Sequence, residues 1–153
     1  MTVNRQGGAR GPAGADTGSA IVEFVGLAVL LMVPLVYLLL TVFQVQAAAY
    51  AVASAVREAG RAFVTAPSTL VAHDRAVAAA QLALADHGMP FDPGTLEITC
   101  QPACALVPDT RVNVHLSAAV PLPFVPEALG GGRLAIGVDG EHVEVVDRYR
   151  EVR

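Results

Sequence analysis

Between Phe24 and Phe43 the chain reads FVGLAVLLMVPLVYLLLTVF, without one charged side chain. At ~1.5 Å per residue a helix of this length reaches ~30 Å, the thickness of the hydrocarbon core of a bilayer. Helices in soluble cores are apolar along one stripe, not all round. The run therefore predicts a transmembrane helix. Pro34 lies inside it and predicts a kink instead of a break, because membrane helices tolerate proline. Arg5 and Arg10 precede the run, and Arg57 and Arg61 follow it at greater distance. The positive-inside bias then places the N-terminus in the cytoplasm. This run explains a composition that is 54% hydrophobic and only 16% charged over 153 residues, where soluble chains carry about a quarter charged residues. Such a chain is not disordered as its main state. A net charge of −4, no Lys and no Trp exclude nucleic acid as the principal ligand.

Before the run, residues 1–18 (MTVNRQGGARGPAGADTG) show no apolar periodicity and are expected to be unstructured. After it, from Gln44 to Val64, the pattern turns amphipathic. Val45, Ala49, Val52, Val56, Ala59 and Phe63 recur at helical spacing, opposite Gln46, Tyr50, Ser54, Arg57, Glu58 and Arg61. One continuous helix from about Ser19 to Val64 is the economical reading. Pro67-Ser68 ends it and offers Ser68 as the N-cap of a second helix, Thr69 to His87, which Gly88 and Pro90 stop. Leu70, Val77 and Leu84 align on that helix as its apolar stripe.

Beyond Pro93-Gly94 the period changes to two. Leu96, Ile98 and Cys100 form one alternating run; Val112, Val114, Leu116, Ala118 and Val120 form a longer one. A third begins with Leu134, Ile136 and Val138 and resumes, in opposite parity, as Val143 and Val145. Asp139-Gly140 at the flip predicts a hairpin turn or a bulge. PLPFVPEA and Gly130-Gly131-Gly132 between the second and third runs read as a loop, and 148–153 as a charged tail. The fold class is therefore α+β: a long N-terminal transmembrane helix continuing as an amphipathic one, a second helix, and an antiparallel sheet of three to four strands. The predicted divisions are a leader over 1–18, a membrane helix over 19–45, an extracytoplasmic domain over 46–147 and the tail.

Cys100 and Cys104 flank Gln101-Pro102-Ala103 and are expected to form a disulfide in an oxidising compartment. A zinc site would need two more ligands, and His87 and His115 have no motif spacing around them. Redox catalysis prefers a two-residue gap at a helix N-terminus. His73-Asp74 and Asp86-His87 read as solvated pairs on the second helix, and His115 and His142 as outward positions on strands. No nucleophile elbow, metalloprotease helix or phosphate-binding loop occurs. The chain is expected to be no enzyme and to hold no cofactor, metal or small-molecule substrate.

Glu23 stands at the mouth of the apolar run. A carboxylate at the centre of a membrane helix costs ~2.5–3.5 kcal/mol on insertion scales, less near the interface, and normally finds a partner. One reading of Glu23 is therefore an interfacial residue facing the headgroups. A cut between Gly18 and Ser19 would create an α-amino group four residues before it. The stretch Gly18-Ser19-Ala20-Ile21-Val22-Glu23-Phe24, followed at once by the apolar run, resembles the class III signal of type IV pilins and pseudopilins. Val22-Glu23-Phe24 is similar to the tripeptide that opens the membrane helix in the TadE-like branch of tight-adherence pilus pseudopilins. The resemblance implies a pilin-like fold and cleavage after Gly18 by a membrane-embedded prepilin peptidase. It makes Glu23 the fifth residue of the mature chain, poised for charge pairing in an assembly. The partners it implies are the membrane, other pilins or pseudopilins, an assembly ATPase and platform proteins. Two other readings compete. One is an ordinary secretory signal cut after Ala47-Ala48-Ala49, which the length of the run disfavours. The other is a signal-anchored extracytoplasmic binding module that never enters a filament.

Overall fold

The structure, a computed structural model, describes residues 17–122 and 134–149, with side chains from residue 20 onward. Residues 1–16, the connection 123–133 with its three glycines, and 150–153 lie outside it, and with them most of the predicted leader, loop and tail. The described elements are helix α1 (Thr17–Val64), helix α2 (Thr69–Asp86), a single 3₁₀ turn at Pro93–Thr95, and strands β1 (Leu96–Gln101), β2 (Arg111–Pro121) and β3 (Ala135–Val145). Helix and sheet thus follow one another as the change of period predicts, in an α+β arrangement. The chain divides after Leu39 into two packing units.

Helix α1 runs for 48 residues and passes through Pro34 without ending. It begins at Thr17, so Thr17 and Gly18 belong to the helix and not to an unstructured leader. Toward its C-terminal end a single stripe is buried: Ala48, Ala51, Val52, Ala55, Val56, Ala59 and Phe63. The predicted stripe is close to this, but Ala49 is exposed and Val45 only half-buried. The centre of the stripe lies on the alanines, which pattern reading passes over because alanine is nearly neutral in hydrophobicity. Helix α2 shows the same displacement more strongly. Its buried face is Ala72, Ala76, Ala80, Ala83 and Leu84, whereas Leu70, predicted inside, is 88% exposed. Alanines make up most of the face by which α2 joins the common core, with Leu84 the large side chain among them. Ser68 occupies the N-cap position in extended conformation, without a side-chain cap hydrogen bond. At the other end Gly88 takes φ +68°, and its N–H donates to the Ala85 carbonyl at 2.9 Å, the left-handed helix ending that glycine accepts without steric cost.

The sheet is antiparallel in the order β1-β2-β3. Its inner face carries Leu96, Ile98 and Cys100 from β1 and Val112, Val114, Leu116, Ala118 and Val120 from β2, as the alternation predicts. Val112, Val114 and Leu116 are fully buried, each worth about 1.5–3 kcal/mol by removal from water.

Strand β3 departs from expectation. It contains neither a hairpin nor a bulge at Asp139-Gly140: its pairing with β2 runs unbroken from Pro121↔Ala135 to Arg111↔Val145, with Leu116↔Gly140 in the middle. One register means one parity. Val138, Gly140, His142 and Glu144 therefore face inward, and Val143 and Val145 face outward, 52% and 48% exposed. Gly140 is present because α1 comes too close for any side chain. A Cβ there would lie 2.6 Å from Val52 Cγ1 and 3.4 Å from the Val52 carbonyl oxygen. This glycine serves close backbone approach, the second physical meaning of glycine in a strand. Its place in Asp-Gly imitates a turn.

Gly140→Ala is expected to destabilise the domain by about 1–3 kcal/mol through overpacking against Val52. Gly137→Ala, in the same strand with nothing within 4 Å of its Cβ, should be neutral or slightly stabilising. Amide exchange of the buried β2 N–H groups, which reports opening free energy, distinguishes the two. Equal effects would remove the close-approach explanation.

Candidate functional site

The sequence singles out residues at the start of α1 and at the end of β1, and the structure gives these two places different surroundings. Gly18 and Ser19 form the first turn of α1, and Glu23 follows Ser19 by four residues on the same helix face. Glu23 is exposed, and so are nearly all its apolar successors: Phe24 is 71% and Leu30 69% exposed, and the pattern holds to Phe43. None of the most apolar window of this helix is buried against protein, and the helix is long and apolar enough to cross a membrane. It meets the length requirement for spanning, and its backbone bonds pair the peptide groups within the segment except at Pro34, which offers no N–H to the Leu30 carbonyl. Soluble proteins rarely expose a contiguous apolar surface beyond a few hundred Å². This one continues around the helix.

Cys100 and Cys104 are joined in a disulfide, Cα to Cα 4.8 Å. Cys100 is half-buried at the end of β1 opposite Val112, and Cys104 is exposed. The bond closes a small loop at the sheet's end, and no free cysteine occurs among the described residues.

The remaining polar groups form local pairs and no converging set. Asn113 Nδ2 donates to Glu141 Oε1 at 2.7 Å on the outer sheet face, and His115 sits in register between Glu97 and Glu141. His142, expected outward, lies on the inner face because of the parity of β3. Its Nε2 is 2.9 Å from Glu144 Oε2, both side chains about one-third exposed, and its ring packs 3.5 Å from where a Gly60 Cβ would be. Gly140, read as the close-approach residue it is, would have placed this pair inside from the sequence. Glu144 also lines an open groove of about 1200 Å³ with Arg61, Thr65, Ser68, Asp147 and Tyr149. Thr110 is buried, and its hydroxyl has no hydrogen-bond partner among the described residues. No group of three or more His, Cys, Asp or Glu side chains among the described residues is placed to hold a metal ion.

No protein-family model, curated protein or solved structure matches the chain.

The full chain should stay with the membrane fraction after an alkaline carbonate wash, and Val33→Arg should release a substantial share of it, since a central Arg costs ~2.5–3.5 kcal/mol on insertion scales. Release of the unaltered chain would rule out the spanning helix. Replacing Cys100 and Cys104 by Ser should lower domain stability by about 2 kcal/mol at most, because so short a loop removes little chain entropy. Urea unfolding followed by β2 amide exchange measures it, and loss of the fold would show that the bond does more than shape the loop.

Proposed function

We propose that this chain is a pseudopilin-like subunit of a tight-adherence pilus, an assembly component and not a catalyst. The observation that carries the reading is Glu23: a carboxylate one helical turn beyond Ser19, at the head of a helix whose apolar surface has no protein cover. A prepilin peptidase would cut after Gly18 on the cytoplasmic side. The new α-amino group of Ser19 then neutralises Glu23 on the same chain or on a neighbour. The apolar half of α1 holds the subunit in the bilayer until the assembly machinery draws it out. In the filament, neighbouring helices replace lipid around it, and the charge pair favours one axial stagger. The domain that follows lies outside the cytoplasm, a placement supported by the disulfide, which persists in oxidising compartments.

A second reading has one observation in its favour. The groove beside Arg61, Glu144 and Tyr149 would suit a signal-anchored binding module that keeps its leader and needs no Glu23. Mass spectrometry of the chain after co-expression with a prepilin peptidase separates the two. The pseudopilin reading expects a mature start at Ser19, no cleavage in Gly18→Leu, and for Glu23→Ala normal membrane insertion with impaired assembly. A chain that still begins at Met1 in the presence of active peptidase overturns it.

A further inference from the structure

Among the described residues the sheet has two edge strands, β1 and β3, and neither the membrane helix nor the maturation signal uses the edge of β3. Strand β3 has β2 on one side and, among the described residues, no strand on the other. The bonds at its two ends tell which backbone groups face that open side. Leu122 N–H donates to the Leu134 carbonyl, and Val146 N–H to the Thr110 carbonyl, both at 2.9 Å. Even-numbered residues of this stretch thus turn their peptide groups to β2. Because direction alternates along an antiparallel strand, Ala135, Gly137, Asp139, Glu141, Val143 and Val145 turn theirs outward. None of these outward groups meets a backbone partner among the described residues.

Natural edges are commonly blunted by proline, a bulge or lysine. This one runs 11 residues in a single unbroken register without proline, bulge or lysine, and its remaining protection is charge, Asp139 and Glu141 outward and Glu144 inward. Its charge is one-sided: Asp139, Glu141 and Glu144, with no arginine. Asp139 and Glu141 share the exposed face, and one oxygen of Glu141 is held by Asn113. Two such edges paired in the register that sets Asp139 opposite Glu141 would bring acids beside acids, which destabilises cross-strand pairs. A strand bearing cations would gain from both carboxylates and from the row of free peptide groups.

We propose that the open edge of β3 binds, by antiparallel strand addition, an extended segment of another protein. That segment carries Arg or Lys opposite Asp139 and Glu141 and apolar residues opposite Val143 and Val145. Main-chain bonds supply the affinity and the two acid positions the register, the division of labour of strand-addition complexes. The proposal goes beyond the pseudopilin reading and does not require cleavage at Gly18, so either can fail alone.

The probe is the capped heptapeptide Val-Thr-Val-Thr-Arg-Thr-Arg, which in antiparallel register puts its arginines against Glu141 and Asp139. It is added to the full chain in detergent micelles while amide exchange is followed residue by residue. The expected result is at least about tenfold slower exchange of the outward amides of Asp139, Glu141 and Val143, with the β2 amides of Val112 to Leu116 unchanged. Replacing both peptide arginines by Glu should abolish the effect. The Asp139→Lys, Glu141→Lys double variant should reverse the preference, and its unchanged β2 exchange would show that it folds. No slowing at saturating peptide, or equal slowing by the Glu peptide, overturns the proposal. So does slowing that rises with protein concentration in the absence of peptide, which would assign the edge to a second copy.

Discussion

The whole chain depends on one helix meeting two different demands with one backbone. Apart from the Leu30 carbonyl, which Pro34 leaves without its helical donor, the peptide groups inside α1 pair within the helix, so its N-terminal half can sit where water is absent. Its side chains there are apolar in every direction and have no protein to cover them. Further along, the same helix buries a narrow stripe of alanines and valines and leaves its other faces wet. The change from one regime to the other takes place without a loop. A shift of solvent is thereby built into a single element by side-chain choice alone.

The wet end of the helix sets what the sheet can be. Val52 and Gly60 are positions where α1 comes close to it: Val52 leaves no room for a side chain at Gly140, and Gly60 leaves just enough for His142 and Glu144. Close approach obliges the inner face of β3 to be small at one point and lets it be polar at the next. The His142–Glu144 pair can be tolerated inside because it lies at the margin, where Glu144 reaches the groove. The outer face of β3 receives Val143 and Val145 as the consequence, since one parity governs the strand.

This explains how much could be read beforehand. The apolar run, the end of α1, the strands β1 and β2 and the cysteine pair all follow from local chemistry, and the structure holds them where the pattern puts them. What escaped was tertiary in origin. Asp139-Gly140 has the composition of a turn, and only the nearness of Val52 makes Gly140 a contact residue. Alanine contributes almost nothing to a hydrophobic period, so the pattern does not tell Ala49 from the buried Ala48 on α1, and on α2 it ranks the exposed Leu70 above the buried Ala72. The readings on 1–16, 123–133 and 150–153 fall outside the described residues.

Glu23 is the point at which chemistry and assembly would meet. A lone carboxylate at the head of an exposed apolar helix is unfavourable in oil, so it belongs at the interface facing the headgroups or beside a cation. On its own chain, Ser19 is one turn away, ~6 Å along the axis, and a Glu side chain four residues on leans back toward it, so in the proposed mature subunit an amine there could meet the charge directly. An amine from a neighbouring helix of the proposed filament could do the same, and that pairing would favour one stagger between two subunits.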